Sequence, residues 1–433
     1  MTRPTIHIIG AGLAGLSAAI DLAPTGARII VYEAAKAAGG RCRSYFDQRL
    51  GMEIDNGNHL LLSGNSHALA YVKSIGAEDR VTCFSDACFH FVDLSKAIRW
   101  TIDPSRGPLA LWGLPGVELR DHLGLLKLIS ARSDVPLRDL VRCEGRFYQD
   151  MLRPLLLAAL NTEPARSSSV LAGAILRATL FKGAKACRPI TIREGLSRAL
   201  VDPALLLLER FNAEIHFSKR LHSMRFSQRK VAALQFDEDC IELNPADMVI
   251  LAVPASAAAA LAPWLEAPNQ FNAIVNAHFA VTPPPTLPAI TAVNGATTEW
   301  LFAYERRLSV TVSAANHLLA LDADALAREI WREASTIAGI STALPAWRIV
   351  REKRATFAAT PEQNKRRPST RTAYANLLLA GDWTATGLPA TIEGAIKSGV
   401  EAAYAARRQM TRAHSAPNRF FRQRKTHAHA HHG

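Results

Sequence analysis

A glycine-rich turn near the start of the chain restricts the fold more than any other feature of the sequence. Residues 5–9 form an apolar, β-branched run that predicts a strand, and residues 13–22 are rich in alanine and leucine and predict a helix. The turn between them has the spacing Gly10-x-Gly12-x-x-Gly15. In this position the three glycines allow a tight turn, a close approach of the backbone to a phosphate, and close packing of the helix on the strand.

An acidic residue follows at the place where a dinucleotide-binding fold needs one. Residues 28–32 predict a second strand, which completes a strand–helix–strand unit with parallel pairing and a right-handed crossover. Glu33 comes directly after this strand and can accept hydrogen bonds from ribose hydroxyls. A glycine-rich turn beside an incidental acid is the alternative, and the agreement of strand, turn, helix and acid disfavours it. The sequence therefore predicts a nucleotide-binding α/β domain.

A further pair of glycines favours FAD over NAD as the ligand. Gly39, Gly40 and Arg41 follow shortly after Glu33. Two glycines let the chain pass close to a ligand, and an arginine can meet phosphate charge. The alternative interpretation is a surface turn with a solvated arginine.

The C-terminal part of the chain carries a motif that supports the same interpretation. An apolar run at 376–380 predicts a strand that ends at Gly381, and the side chain of Asp382 can bond a ribitol hydroxyl. A predicted helix begins near Thr391 and Ile392, and its first amides can stabilise negative charge on a reduced flavin ring. FAD is therefore the predicted cofactor.

Together these motifs resemble those of the flavin-containing amine oxidase and carotenoid-desaturase superfamily, over about residues 5–408. Within it, the chain is similar to the bacterial squalene-associated FAD-dependent desaturases, or hydroxysqualene dehydroxylases of hopanoid synthesis. The resemblance implies an α/β fold with a Rossmann-like FAD-binding domain and a discontinuous mixed α+β substrate domain. It also implies that the backbone near Leu221 contacts adenine. The segments that carry the resemblance are 39–46, 54–65, 195–197, 201–204, 300–302 and 381–399.

The two expected domains alternate along the chain, because segments of nucleotide-binding type recur in three separate places. The predicted boundaries are 1–75, 195–270 and 371–410 for the FAD-binding domain, 76–194 and 271–370 for the substrate domain, and 411–433 for a basic tail that is expected to be disordered.

The polar segment from Asp55 to His59 is the candidate for acid catalysis. One interpretation is a turn in which Asp55 and Asn56 bond their own backbone. The resemblance instead places the segment near the flavin, where a histidine with a pKa near its ordinary value could donate a proton. His59 and Asp55 are therefore the predicted catalytic residues, with Asp55 either donating the proton or orienting His59.

Two departures from the amine oxidases favour a hydrocarbon substrate. Those enzymes usually carry an aromatic residue where this chain has Thr391, and they usually place a lysine near the flavin, whereas residues 290–304 contain no lysine. The resemblance thus implies an apolar polyprenoid substrate and reductive removal of the hydroxyl group of hydroxysqualene, which gives squalene. Three alternatives stay open. They are a carotenoid or polyprenoid desaturase that moves hydride in the opposite direction, a flavin amine oxidase, and a non-catalytic FAD-binding partner protein at the membrane.

The charge of the chain points to a class of partner. The formal net charge is +13, but the sequence has no helix-turn-helix, zinc-finger or aromatic RNA-binding signature, so nucleic acid is not an expected partner. Residues 418–425 combine Phe420 and Phe421 with several basic residues. This pattern predicts peripheral contact with an anionic membrane, and a solvated tail is the alternative.

Cysteine spacing and the start of the chain bear on metal binding and on the compartment. None of the six cysteines has Cys-x-x-Cys spacing or a histidine at a metal-site distance, so we expect free thiols and no metal site. No targeting pattern precedes the first strand, and the uncharged stretch 248–265 is interrupted by Pro254 and Pro263, which predicts a strand and a helix rather than a membrane span. We therefore expect a cytoplasmic protein, peripheral on the inner face of the cell membrane.

Overall fold

The computed structural model describes residues 3–103, 118–192 and 194–415. The helices are α1 (Leu13–Leu22), α2 (Ser66–Ser74), α3 (Leu119–Ile129), α4 (Gly145–Phe147), α5 (Arg153–Leu160), α6 (Ser169–Ala178), α7 (Ala184–Cys187), α8 (Asp202–Arg210), α9 (Ala255–Leu261), α10 (Ala323–Ala338), α11 (Pro361–Lys365) and α12 (Ile392–Ser415). The strands are β1 (Thr5–Ile9), β2 (Arg28–Tyr32), β3 (Ser44–Asp47), β4 (Met52–Asp55), β5 (Leu61–Leu62), β6 (Val81–Cys83), β7 (Phe89–Asp93), β8 (Ile98–Ile102), β9 (Pro189–Ile192), β10 (Glu214–His216), β11 (Ser223–Ser227), β12 (Lys230–Gln235), β13 (Cys240–Glu242), β14 (Met248–Leu251), β15 (Phe271–Phe279), β16 (Ile290–Asn294), β17 (Trp300–Tyr304), β18 (Arg307–Val312), β19 (Trp347–Phe357) and β20 (Leu377–Leu379).

One parallel sheet brings together strands from three distant parts of the chain. Its order is β10-β2-β1-β14-β20, and β1 pairs in parallel with both β2 and β14. Every residue of β1, β14 and β20 is buried. One face packs against α1 and α12, and the other packs against the small sheet β11-β12-β13. Burial on both faces explains why these strands are continuous apolar runs. The predicted α/β fold is confirmed.

The two ends of the chain meet where α1 packs on α12. A Cβ atom added at Gly399 would overlap the carbonyl oxygen of Ala14, so only glycine permits this distance between the helices. The Ser17 hydroxyl donates to the carbonyl oxygen of Ile396 at 3.1 Å. The N-terminal glycine turn is thereby fixed relative to the C-terminal Gly381 motif.

A seven-stranded sheet forms the second main layer, in the order β19-β15-β18-β17-β16-β7-β8. Its pairs are antiparallel except for β16 and β7, so the sheet is mixed. Helix α10 covers one face, where Ile330 and Trp331 pack with Val310. Helices α3 to α7, here called the helical lobe, share one apolar cluster with Trp300 and Phe302 on the opposite face.

The β3–β4 hairpin links the two layers and positions the residues that follow it. Arg307 of β18 donates through Nη1 to the carbonyl oxygen of Glu53 at 2.9 Å. The backbone amide of Ser44 donates to the Ser197 hydroxyl at 2.8 Å. Because both layers hold the hairpin, residues 56–59, which directly follow β4, are fixed between them.

Three expectations concern the ends of elements and domains. Helix α12 continues to Ser415, past the predicted start of the tail at 411, and Arg407 in this helix donates to the carbonyl oxygen of Asp21 at 3.2 Å. Residues 416–433, with the Phe420–Phe421 pair, lie outside the described residues. Within the described ranges, no helix has the length and apolar character needed to cross a bilayer. The residue boundaries of the two domains stay a prediction.

Candidate active site

The N-terminal glycine turn forms a surface that is open to a ligand at one point only. Gly10 has φ +107°, and a Cβ atom there would lie 2.6 Å from the carbonyl oxygen of Ala252. A Cβ atom at Gly15 would overlap the carbonyl oxygen of Gly10. A Cβ atom at Gly12 would meet no protein atom within 4 Å. Gly10 and Gly15 are therefore required by packing, whereas Gly12 faces open space.

The first turn of α1 is suited to binding an anion. No side chain caps this end of the helix, and its first turn holds no acidic residue. The positive end of the helix dipole and its free amides are what a phosphate group requires. Gly39 donates its amide to the carbonyl oxygen of Ala11 at 2.8 Å, and a Cβ atom at Gly40 would lie 3.5 Å from the Cα of Gly12. The two glycine segments thus form one cradle of backbone.

Glu33 and Leu221 lie on the same side of the parallel sheet as this cradle. The Glu33 carboxylate accepts hydrogen bonds from the amides of Ala11 and Ala35, each at 2.8 Å, which fixes it beside the glycine turn. Lys219 donates its amide to the carbonyl oxygen of Glu33 at 2.8 Å and so brings residue 221 close. The backbone amide and carbonyl of Leu221 bond to no described residue. One donor and one acceptor are what an adenine edge needs, and this contact stays a prediction.

An ion pair joins the N-terminal and C-terminal motifs. Arg41 and Asp382 approach to 2.7 Å between Nη2 and Oδ2, and Asp382 is buried. Arg41 also donates to the carbonyl oxygen of Ala355. Buried Arg367 donates to the carbonyl oxygen of Asp382 at 3.2 Å. In the structure the charge of Arg41 is balanced by this carboxylate, and the predicted contact of Arg41 with phosphate stays a prediction.

Sequence reasoning missed Arg367. It lies in the run Arg366-Arg367, which is typical of a solvated surface, and only the fold places it under the Gly381 turn. Its guanidinium carbon also stacks over the ring of Phe357 at 5.0 Å, and burial lowers its pKa to about 10.

The start of α12 keeps amides available. The Thr391 hydroxyl accepts from the amide of Gly394 at 3.0 Å and caps the helix. The Glu393 carboxylate turns away and accepts from the amides of His67 and Ala68 at 3.0 and 2.8 Å, which caps α2. The amides of Ile392 and Glu393 bond to no described residue. This end can therefore stabilise a negative charge, and the contact of Thr391 and Ile392 with the flavin stays a prediction.

Asp55 is held by protein groups. Its Oδ1 accepts from the Ser44 hydroxyl at 2.6 Å and from the Leu196 amide at 2.8 Å, and its Oδ2 lies 4.0 Å from Nη2 of Arg307. Burial raises the pKa of this carboxyl, and the hydrogen bonds and Arg307 oppose that rise. No hydrogen bond joins Asp55 to His59 among the described residues. These contacts favour an anchoring role, and the catalytic role of Asp55 stays a prediction.

A network of neutral polar side chains surrounds Asn58. Its Nδ2 donates to the Thr311 hydroxyl at 3.0 Å, and that hydroxyl donates to Oδ1 of Asn276 at 2.8 Å. The Tyr304 phenol donates to Oδ1 of Asn58 at 3.4 Å. Asn276, Tyr304 and Thr311 lie on three different strands, so no local sequence pattern could have identified them. This cluster of Asn58, Asn276, Tyr304 and Thr311 is called the polar network below.

His59 follows the polar network directly. It is half-buried and makes no hydrogen bond to any described residue. Burial, together with the positive charge of Arg41, lowers its pKa to about 4. The expectation of a near-ordinary pKa is therefore wrong, because the ring lies away from bulk water and near a cation. At pH 7 the imidazole is neutral and offers one hydrogen-bond donor and one acceptor.

The residues present fit an FAD molecule. The open face at Gly12, the uncapped start of α1 and the unpaired backbone of Leu221 suit a pyrophosphate and an adenine, and the start of α12 suits an electron-rich ring. No group of three or more metal-ligating side chains occurs in the part of the chain that the structure describes.

The family model of flavin-containing amine oxidoreductases matches residues 13–407. The chain belongs to this family. It is 50% identical to the hydroxysqualene dehydroxylase of Rhodopseudomonas palustris over 406 residues, which are 92% of this chain and 97% of the relative. It is 47% identical to the hydroxysqualene dehydroxylase of Zymomonas mobilis over 403 residues, with the same two coverages. These similarities confirm the predicted resemblance, the FAD cofactor and an FAD-dependent oxidoreductase.

Solved structures of other oxidoreductases share the fold across almost the whole chain. An oxidoreductase from Methanosarcina mazei superposes with a TM-score of 0.70 at 15% identity, covering 92% of this chain and 99% of that one. A wild-type putrescine oxidase bound to putrescine gives a TM-score of 0.68 at 14% identity, covering 94% and 99%. At such low identity these likenesses establish the architecture alone.

Proposed function

We propose that this enzyme reductively removes the hydroxyl group of hydroxysqualene and releases squalene. The observation that carries the proposal is the similarity to three curated hydroxysqualene dehydroxylases, at 47–50% identity over 92% of the chain and 97% of each relative. Identity at this level over most of the chain favours the same reaction over an amine oxidation.

The reaction balances as alcohol plus hydride plus proton, giving hydrocarbon plus water. Bound FAD in its reduced form supplies the hydride. The carbon–oxygen bond breaks, and its electron pair leaves with the oxygen. Because hydroxide is a poor leaving group, a protein group must hold a proton at that oxygen.

Two neutral proton-bearing groups in and beside the segment from Asp55 to His59 are candidates for this role. One is the imidazole of His59 and the other is the phenol of Tyr304, whose pKa burial raises to about 12. His59 has no hydrogen-bonding partner among the described residues and can turn to a substrate oxygen, whereas the Tyr304 phenol donates to Asn58. A neutral imidazole can donate a hydrogen bond, but a phenol gives up its proton more readily than a neutral imidazole does. We therefore assign the proton to Tyr304, the hydrogen bond that orients the leaving oxygen to His59, and the positioning of the segment to Asp55 and the polar network.

A row of buried apolar side chains ends at Tyr304. Trp300, Phe302 and Tyr304 project from the same face of β17, since alternate residues of a strand share a face. The first two belong to the apolar cluster of the helical lobe. This row supports a hydrocarbon chain held along the sheet with its polar group at the Tyr304 end.

Product analysis distinguishes the two possible directions of hydride transfer. Reduced enzyme should convert hydroxysqualene to squalene, and oxidised enzyme should leave squalene unchanged. If oxidised enzyme dehydrogenated squalene-like hydrocarbons and reduced enzyme ignored the alcohol, the protein would be a desaturase.

Peripheral contact with an anionic membrane on the inner face of the cell membrane is also part of the proposal. A C30 hydrocarbon is stored in lipid rather than in water, and the chain carries a formal net charge of +13. Sedimentation with phosphatidylglycerol vesicles should show binding that weakens as salt rises. Binding only to neutral vesicles, or none at low salt, would contradict this contact.

A further inference from the structure

Helix α3 exposes apolar side chains that the protein core does not use. Leu119, Leu123 and Leu126 follow the i, i+4, i+7 spacing of one helix face, and their exposed fractions are 68%, 50% and 53%. These three residues are called the leucine stripe below. Leu125 and Leu128 lie on the opposite face of α3 and are buried in the apolar cluster of the helical lobe. A helix that is apolar on both faces is typical of a second apolar environment outside the protein.

Free positive charges flank the leucine stripe at the C-terminal end of α3. Lys127 and Arg132 are exposed and form no ion pair with any described residue. Arg177 of α6 joins them, because its Nη1 donates to the carbonyl oxygen of Ile129 at 2.5 Å. The acids at the other end are already engaged, since Glu118 pairs with Arg120 and Asp121 accepts from the Glu118 amide.

We propose that the leucine stripe is the surface by which the protein sits on an anionic bilayer. Leucines beside unpaired lysine and arginine match the interface of such a membrane, where apolar side chains enter the acyl boundary and cations meet the headgroups. This inference deepens the proposed function, because it rests on a substrate that is dissolved in lipid. It places the main contact on the helical lobe rather than on the C-terminal tail.

The position of α3 supports a role in substrate entry. A Cβ atom at Gly173 of α6 would overlap the carbonyl oxygen of Leu128, so the two helices are in close contact. The core-facing leucines of α3 share one apolar cluster with Trp300 and Phe302 of β17. One apolar cluster thus extends from α3 to the face of β17 that ends at Tyr304.

The test compares serine variants of exposed leucines inside and outside the leucine stripe. One variant carries Leu119→Ser, Leu123→Ser and Leu126→Ser, and the matched control carries Leu206→Ser and Leu321→Ser, whose leucines are 56% and 45% exposed on other parts of the surface. Binding is measured by sedimentation with vesicles of equimolar phosphatidylglycerol and phosphatidylcholine. The stripe variant should bind roughly a hundredfold more weakly than wild type, and the control should bind within about twofold.

Two further measurements test whether something other than a membrane covers the leucine stripe. The stripe variant should keep the wild-type melting temperature and elution volume. A clearly lowered melting temperature would show that another part of the chain, such as residues 104–117, covers the stripe, and a shift from dimer to monomer would show that a second copy does. Either result would overturn the proposal, as would binding that is lost on truncation after Ser415 but kept in the stripe variant.

Activity assays show separately whether the membrane proposal or the proposed reaction fails. With hydroxysqualene in detergent micelles the stripe variant should match wild type, and with substrate in vesicles its rate should fall about tenfold or more. If wild type dehydroxylated hydroxysqualene in neither medium, the proposed reaction would fail, and the vesicle-binding comparison would still decide the role of the stripe. Equal loss of activity in both media would contradict a membrane role.

Discussion

The cofactor cradle and the polar network are built by different means. The cradle consists of backbone: glycines at 10, 12 and 15, the Gly39–Gly40 turn, and the exposed amides that begin α1 and α12. The polar network consists of side chains from β15, β17 and β18, joined to Asn58 and to one another by hydrogen bonds of 2.8–3.5 Å. A backbone site needs little more than the correct turn, whereas a side-chain site needs the whole sheet to be assembled correctly.

The largest expected effect is on the cradle side. Gly12→Val should abolish FAD binding almost completely, because its side chain would occupy the space next to the start of α1. Since a Cβ atom at Gly12 meets no protein atom, the variant should still fold. Flavin absorbance of the purified protein and its circular dichroism spectrum measure the two effects.

Gly10→Val provides the contrast, because its side chain would collide with the carbonyl oxygen of Ala252, and we expect little folded protein. Full flavin occupancy in Gly12→Val would show that the cradle is elsewhere.

On the substrate side, His59→Ala should slow reduction of hydroxysqualene by about a hundredfold, the usual scale for losing a hydrogen-bond donor at an oxygen that gains negative charge. FAD content should not change, because the cradle does not involve this side chain. Stopped-flow measurement of flavin reoxidation by hydroxysqualene gives the rate. His222→Ala is the control, since this exposed histidine pairs with Asp237 on the outer surface.

Asp55→Asn distinguishes donation from anchoring. Its carboxylate holds Ser44 and Leu196, so we expect a loss of about 1–2 kcal/mol in the free energy of unfolding and only a few-fold slower reaction. A rate as slow as that of His59→Ala would instead assign the proton to Asp55. Wild-type rates in both variants would leave the segment as a structural turn.

The origin of each site also explains what the sequence could predict. Gly12, Glu33 and Asp382 lie in short motifs that indicate a nucleotide together with the strands and helices predicted around them, so the cradle could be predicted from local sequence. Asn276 and Tyr304 carry no such pattern, because their role depends on which strands become neighbours. The lowered pKa of His59 was missed for the same reason, since burial and the approach of Arg41 are properties of the assembled layers.

The ion pair between Arg41 and Asp382 connects the two halves of the cradle, and its removal should have an intermediate effect. Asp382→Asn should lower the free energy of unfolding by about 2 kcal/mol, because a partly buried guanidinium loses its carboxylate. Urea unfolding of the holoenzyme measures this change. Asp237→Asn, which removes a carboxylate from an exposed pair with His222, should cost less than about 0.5 kcal/mol. Equal losses in the two variants would show that the pair of Arg41 and Asp382 stabilises the protein no more than an exposed ion pair does.

The smallest expected effect is on the pH dependence of stability, and it concerns one buried histidine in each of the two main sheets. Burial lowers the pKa of His7 on β1 to about 4 and that of His278 on β15 to about 3. Both remain neutral in the folded protein while the unfolded chain binds protons below about pH 6.5. The free energy of unfolding should therefore be unaffected by these histidines above that pH and fall as the pH drops towards 4. At pH 5 the loss should be about 2 kcal/mol per histidine.

Urea unfolding at several pH values measures this slope. His7→Gln and His278→Gln should each make it shallower, and the two variants together should make it shallower still, because the residues lie in different sheets. An unchanged slope in both variants would mean that neither histidine is held neutral by the fold.

The most direct test of the central claim is a single-turnover reaction without oxygen. Photoreduced holoenzyme is mixed with hydroxysqualene, and flavin absorbance and squalene are followed together. The account predicts that each reoxidised flavin is matched by one molecule of squalene. Flavin that stays reduced in the presence of hydroxysqualene, or that is reoxidised without formation of squalene, would contradict it.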